Sequence, residues 1–148
     1  MIAATPDAGV IHASDPALLS APVLPTERCY GLGELIYAYR VYMGLSQRGM
    51  ARRLNFDRRD YQRIEQGRNE CPVGFLSKVT ELADLFDSVA DSIVEAARKV
   101  GGRLVVQVSA DPLQEWERNV AGRAAIIAAY ANDTPRITLT VMGQEEQR

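Results

Sequence analysis

Helix start and stop signals crowd the region between Gly44 and Gly67, so that only short helices fit there. Glycine commonly ends a helix, whereas Ser46 and Asp57 carry side-chain oxygens that accept hydrogen bonds from the unpaired amides of a first turn. Asp57 also complements the positive end of a helix dipole. Residues 55–56 separate the two segments as a turn. The sequence therefore predicts two short helices joined by a tight turn, over residues 47–54 and 58–66.

Positive charge is concentrated in the same region. Between Arg28 and Arg68 the sequence has nine arginines and four acidic residues, which gives the segment a charge of +5. The first 27 residues carry −3 and the residues from Asn69 onward carry −4. The overall charge of −2 is therefore the sum of one basic segment and two acidic flanking segments. A polyanion would bind one face and be repelled elsewhere. Arginines distributed over short helices indicate a nucleic-acid partner.

The sequence gives little support to a catalytic or metal-binding role. The only histidine, His12, lies in a stretch rich in proline and alanine, and Cys29 and Cys71 are far apart with neither in a CxxC motif. We therefore expect two reduced thiols, no metal site and no cofactor. No serine or cysteine nucleophile has a plausible histidine base, and no glycine-rich phosphate loop ends in lysine. We expect no enzyme activity.

With 148 residues, 47% of them hydrophobic, the chain has enough apolar material for one compact domain or two small ones. The N-terminus lacks the basic region of a secretory signal, and no apolar run reaches the roughly 18 residues of a membrane span. These features favour a soluble cytoplasmic protein with no membrane partner.

Helical spacing of apolar residues predicts further helices on both sides of the two short ones. One helix precedes them and ends at Gly44. After Pro72 a seam of apolar residues recurs at intervals of three and four: Val79, Leu82, Phe86, Val89, Ile93, Ala96 and Val100. The seam predicts one helix over 74–100, unless Asp87 and Ser88 break it into two. It is either a core stripe or the seam of a dimer.

The character of the sequence changes after the glycine pair at 101–102. Residues 104–108 are an apolar run rich in valine, and residues 137–141 alternate apolar side chains with threonine, so both predict strands. A helix with Asp111 as its N-cap lies between them. Two strands alone bury too little apolar surface to be stable, so a partner chain or the preceding helices must complete the sheet.

Residues 45–68 resemble the helix-turn-helix of the Cro and phage-repressor family, also called XRE-type regulators. The matching positions fall at the family's spacing: Arg40, the run 44–47, Ala51, Leu54 and the run 63–68. The resemblance extends over 32–85 and implies a lambda-repressor-like domain of five helices, in which 58–66 is the recognition helix.

The resemblance also implies roles for individual residues. Arg58, Arg59 and Arg63 occupy recognition-helix positions that face base edges. Residues 59 and 63, four apart, share a face of the helix. Their guanidinium groups match the O6 and N7 acceptors of guanine. Arg40 and Glu65 form an ion pair inside the domain, which is a structural role.

The same resemblance implies contacts to the DNA backbone. Gln47 begins the second helix and would bind a phosphate through its amide. Arg48 and Arg68 are further phosphate contacts, with Arg52 and Arg53 as weaker candidates.

Three residues depart from the family's pattern. Asp60 on the recognition helix would either face a phosphate unfavourably or accept a hydrogen bond from a cytosine amine. Gly49 lies inside the second helix, at a cost of about 1 kcal/mol relative to alanine. Tyr61 replaces a small aliphatic residue, so we expect either a recognition helix that is pushed outward or a hydroxyl that reaches a phosphate.

The order of elements after residue 100 is similar to that of the repressors associated with phage anti-CRISPR operons, which dimerise through a C-terminal unit. The expected fold is α+β and mainly α, in three parts: an irregular arm over 1–27, the helix-turn-helix domain with following helices over 28–100, and a β-α-β dimerisation unit over 101–148.

These features predict a phage or bacterial transcription regulator that binds double-stranded DNA sequence-specifically. We expect a nucleoid-associated homodimeric repressor that reads an inverted-repeat operator through the recognition helix. The alternative is an antitoxin or phage-encoded interaction module whose acidic C-terminal half binds a protein target. The two are not exclusive, because antitoxins often bind their own promoters.

Overall fold

The computed structural model describes residues 31–143, so the arm predicted over 1–27 lies outside the described residues. Within that range the chain is α+β and mainly helical, as expected, with five α-helices and two strands. A short 3-10 turn, Pro112–Gln114, leads into the last helix. The elements in chain order are α1 (Gly33–Met43), α2 (Gln47–Arg53), α3 (Arg58–Glu65), α4 (Phe75–Val100), β1 (Leu104–Val108), α5 (Glu115–Tyr130) and β2 (Ile137–Val141).

The signals in the sequence set the limits of the first three helices. Gly44 ends α1 in the left-handed conformation, with φ 68°. The Oγ of Ser46 accepts a hydrogen bond from the amide of Gly49 at 3.0 Å and caps α2. The carboxylate of Asp57 accepts from two amides in the first turn of α3. Short-range hydrogen bonds that the residue types favour therefore define these helix ends.

α4 is one continuous helix of 26 residues. Asp87 and Ser88 do not interrupt it, and Asp87 accepts a hydrogen bond from the hydroxyl of Tyr42 in α1 at 2.5 Å. The described part of 28–100 consequently contains four helices and not the five that the resemblance implied.

The buried face of α4 is rotated from the predicted seam. Val79 and Phe86 are buried as expected, but Val89 and Val100 are 36% and 58% exposed. Small residues occupy the buried positions instead: Ala83, Ala90 and Ala97. α5 packs against α4 and buries alanines of its own: Ala121, Ala124 and Ala128. Small side chains allow two helices to approach closely. A prediction based on the spacing of large apolar residues does not detect such a contact.

β1 and β2 are parallel neighbours, paired in register from Leu104 opposite Ile137 to Val108 opposite Val141. α5 lies between them in sequence and packs against both strands. Successive side chains of a strand point to opposite faces. Val108 and Ile137 are buried, whereas Val105 is 48% exposed. Described elements therefore cover one face of the sheet and leave part of the other open.

A single hydrophobic core joins the first three helices to α5. Phe86 of α4 meets Trp116 of α5 edge-on, with 5.4 Å between ring centroids, and Tyr42 of α1 at 5.8 Å. The same core includes Met50 of α2 and Val120 of α5. α4 and α5 therefore belong to the core that supports the first three helices.

Candidate nucleic-acid interface

The two faces of α3 differ in burial and charge. Its inward face buries three side chains: Tyr61, Ile64 and Glu65. Its outward face exposes the three arginines expected to face base edges: Arg58, Arg59 and Arg63. One short helix therefore presents three guanidinium groups at the surface.

Only a weak contact restrains one of these arginines. The Nη1 of Arg63 lies 4.0 Å from a carboxylate oxygen of Asp60, and the two side chains are 57% and 53% exposed. An exposed pair of this kind contributes little to stability. The guanidinium of Arg63 can therefore reach an external acceptor, although Asp60 leaves one negative charge on this surface.

Arg40 and Glu65 form an ion pair between α1 and α3. The Nη2 of Arg40 is 2.7 Å from Oε1 of Glu65, and its Nε donates to Oε2 at 3.0 Å. The Nη1 of Arg40 also donates to the carbonyl oxygen of Leu45 at 3.1 Å. Two parallel bonds between a guanidinium and a carboxylate fix both side chains in one geometry.

The pKa values of the pair reflect this geometry. Burial is the largest single influence on the pKa of the Glu65 carboxyl and would raise it, but the hydrogen bonds and charge of Arg40, together with Tyr61 and Gln47, outweigh burial and leave that pKa below its usual value. The hydrogen bond to Glu65 likewise raises the pKa of Arg40. Both groups are therefore charged at neutral pH and clamp α3 to α1.

Tyr61 does not reach the exposed face of α3. It is fully buried and packs against Phe75 with 6.3 Å between ring centroids. Burial raises the pKa of its phenol well above the usual range. The expectation of a hydroxyl at a phosphate was wrong. The Tyr61 ring lies in the core instead, against Phe75 at the start of α4.

Gln47 is half-buried at the start of α2. Its Nε2 donates to Oε1 of Glu65 over 3.4 Å, so the residue expected at a phosphate also joins the ion-pair network. This bond links α2 to α3 and orients the Gln47 amide beside the recognition helix. Arg48 and Arg68, the other expected phosphate contacts, are exposed.

Arg53 has a different environment from the other arginines of α2. Its guanidinium carbon lies 4.4 Å from the ring centroid of Trp116, and its Nη2 is 3.3 Å from a carboxylate oxygen of Glu117. A DNA contact would have to replace both interactions. The Arg53 side chain therefore packs against α5, and its contact with a phosphate stays a prediction. Because Trp116 is distant in sequence, local spacing gave no signal of this contact.

Residues 31–143 contain no helix long and apolar enough to cross a membrane. In the same part of the chain, no cluster of histidine, cysteine, aspartate and glutamate side chains could hold a metal ion.

Residues 32–91 match the family model of a helix-turn-helix domain. The matched range begins just before α1 and extends into the second half of α4. No curated protein matches the chain. The family match confirms the prediction of a helix-turn-helix in this part of the chain and supports a role in DNA binding.

Proposed function

We propose that the protein is a homodimeric transcriptional repressor that binds an inverted-repeat operator in double-stranded DNA through the recognition helix 58–66. The exposed arginines of α3 carry this proposal. Arg58, Arg59 and Arg63 project from a helix whose other face is fixed by the core and by the bond between Arg40 and Glu65. Because the scaffold is fixed, the guanidinium groups are preorganised for recognition.

The chemistry of these groups specifies the bases. A guanidinium donates two parallel hydrogen bonds, which match the O6 and N7 acceptors that guanine presents in the major groove. We therefore expect guanines in each half-site. Gln47, Arg48 and Arg68 would contact phosphates, which orients the domain on the duplex without specifying sequence.

The C-terminal unit over 101–148 would supply the dimer contact. The sheet has only two strands in the described residues, and Val105 on β1 and Ile126 on α5 are 48% and 54% exposed. Burial of these side chains against a second copy would stabilise a unit that is small by itself. Two-fold symmetry then places the half-site centres about 34 Å apart, one turn of the double helix. The repressor would act at the nucleoid in the cytoplasm, with no cofactor and no catalytic activity.

A second candidate is an antitoxin or phage-encoded module that binds a protein through the C-terminal half. The support for it is the apolar exposure on that acidic half, where Leu113 and Tyr130 are 64% and 88% exposed. Such a module would bind a protein target whether or not it binds DNA.

Selection of bound duplexes from a random pool at physiological salt tests the proposal. We expect an inverted repeat with guanines in both half-sites, and an affinity that falls steeply with salt. Recovery of random sequences, combined with tight binding to a protein from a neighbouring reading frame, would reject the repressor in favour of the interaction module.

A further inference from the structure

The first turns of α5 contact the turn between α1 and α2. The Oε1 of Glu115 accepts hydrogen bonds from the amide of Ser46 at 3.1 Å and from its Oγ at 2.9 Å. One turn further along α5, the Nδ2 of Asn119 donates to the carbonyl oxygen of Gly44 at 2.9 Å. Two side chains of α5 therefore bond to the backbone on both sides of Leu45.

Glu115 completes a capping box whose two halves come from distant parts of the chain. In an ordinary capping box the N-cap serine accepts from the amide of the third helical residue, and the side chain of that residue bonds back to the N-cap amide. The third residue of α2 is Gly49, whose amide donates to the Oγ of Ser46 at 3.0 Å. Because glycine has no side chain, Glu115 supplies the returning carboxylate.

The close approach of Glu115 explains the glycine inside α2. A Cβ at position 49 would lie 1.8 Å from the Oε1 of Glu115. The colliding atom is the end of a flexible side chain, so an alanine would displace the carboxylate and leave the helix in place. Gly49→Ala is therefore a selective way to break this contact without changing the charge of the protein.

α5 contacts the DNA-binding helices at three places. Trp116 packs against Phe86 of α4 and against the guanidinium of Arg53 in α2, while Glu115 and Asn119 hold the turn between α1 and α2. The bonds of Glu115 and Asn119 are hydrogen bonds to the backbone of that turn, so they hold the first three helices against α5 in one orientation.

We propose that Glu115 and Asn119 are positioning residues that set the angle between the helix-turn-helix domain and the C-terminal unit, and with it the half-site spacing that the dimer accepts. The inference rests on the proposed function, because spacing has meaning only for a dimer on an inverted repeat. One added base pair moves the second half-site by about 3.4 Å and rotates it by about 35°. A rigid dimer cannot follow both displacements.

The test measures the affinity of the full-length protein for duplexes that carry the selected inverted repeat with its half-sites moved by one or two base pairs. We expect the intact protein to prefer its best spacing over the neighbouring ones by about tenfold or more, since a misplaced half-site loses its base contacts. In Gly49→Ala the preference should fall to about threefold or less. Affinity for a duplex with a single half-site should stay unchanged.

Gly122→Ala is the matched control. It makes the same chemical change inside a helix, but at a position where a Cβ would meet no atom within 4 Å. This variant should retain the sharp preference, with sedimentation checking that it is still a dimer. Glu115→Ala should reproduce the effect of Gly49→Ala, and the double variant should add nothing. Hydrogen exchange at the Ser46 amide should be faster in both single variants.

Each outcome decides a separate point. If Gly49→Ala and Glu115→Ala keep the spacing preference, the positioning role is overturned while the repressor proposal stands. If both variants instead lose affinity for a single half-site, Glu115 supports the fold of the DNA-binding domain and does not set the spacing, which also overturns the role. If the intact protein shows no preference for an inverted repeat, both proposals are overturned.

Discussion

α2 and α3 begin alike and end in different surroundings. Both are short, both are capped by a side-chain oxygen, and both are rich in arginine. α3 exposes its three arginines, whereas α2 packs Arg53 against Trp116 and bonds its first turn to Glu115. The difference teaches that packing against a helix distant in sequence restrains one arginine of α2, while Arg48 and Arg52 on the same helix remain exposed.

The largest effect is expected where α3 is fixed to α1. Glu65→Ala leaves Arg40 without its partner in a site where the two side chains are only 15% and 6% exposed. We expect a loss of about 3 kcal/mol in the free energy of unfolding, because an unpaired charge remains largely buried. Urea denaturation measures this loss. Arg63→Ala is the control on the exposed face and should change stability by less than about 0.5 kcal/mol.

Substitutions in α3 and in α2 should affect base recognition differently. Arg59→Ala should lower the preference for operator over random duplex by about 1 to 3 kcal/mol, because it removes a bidentate contact to guanine. Arg53→Ala should leave that preference unchanged, and Gln47→Ala should weaken all sequences similarly. Binding titrations on both duplexes give the comparison. Equal losses on both duplexes for Arg59→Ala would reject its base-reading role.

Low pH should selectively weaken the ion pair between Arg40 and Glu65 that holds α3 against α1. The pKa of Glu65 lies below its ordinary value of 4.5 in the folded protein. A depressed carboxyl pKa means that the unfolded state binds the proton more readily than the folded state. The ionised carboxylate of Glu65 therefore contributes its full stabilisation above the ordinary pKa, and this stabilisation is lost as the pH falls through the pKa of the folded state. When the pH is lowered from neutral to below 4.5, the unfolding midpoint should therefore fall more in the intact protein than in Glu65→Gln. Parallel curves for the two proteins would contradict this linkage.

The smallest effect concerns the two helical glycines. Gly122→Ala should raise stability by up to about 1 kcal/mol through helix propensity alone. Gly49→Ala gains the same propensity but loses the bond of Glu115 to Ser46, so its net change should be smaller than that of Gly122→Ala. Thermal unfolding of the pair measures the difference. A larger stabilisation at Gly49 would show that the capping bond contributes nothing.

Short-range chemistry made much of the fold predictable. The caps at Ser46 and Asp57 gave the starts of α2 and α3, and the alternating pattern placed β2 at 137–141. These features depend on residues a few positions apart, whose preferences act before any long-range packing. The spacing of the arginines on α3 also gave its exposed face.

Long-range packing decided what such patterns could not. The seam predicted for α4 placed Val89 and Val100 inside, yet the helix buries Ala83 and Ala90 instead. One of the two alternatives for Tyr61 placed its hydroxyl at a phosphate, but the side chain is buried and packs against Phe75. The choice between large and small residues at a contact depends on how closely the partner helix approaches, and the partner is distant in sequence.

By itself the sequence determined the end of α1, the caps of α2 and α3, the positions of the strands, the positive charge between Arg28 and Arg68 and the resemblance to a helix-turn-helix. Each of these follows from backbone preference, capping or composition within a short window. Only the tertiary structure decided that Arg53 packs on Trp116 and that Glu115 caps α2. Those contacts join residues more than sixty positions apart, and their energies arise only when the folded core brings the two segments within hydrogen-bonding distance.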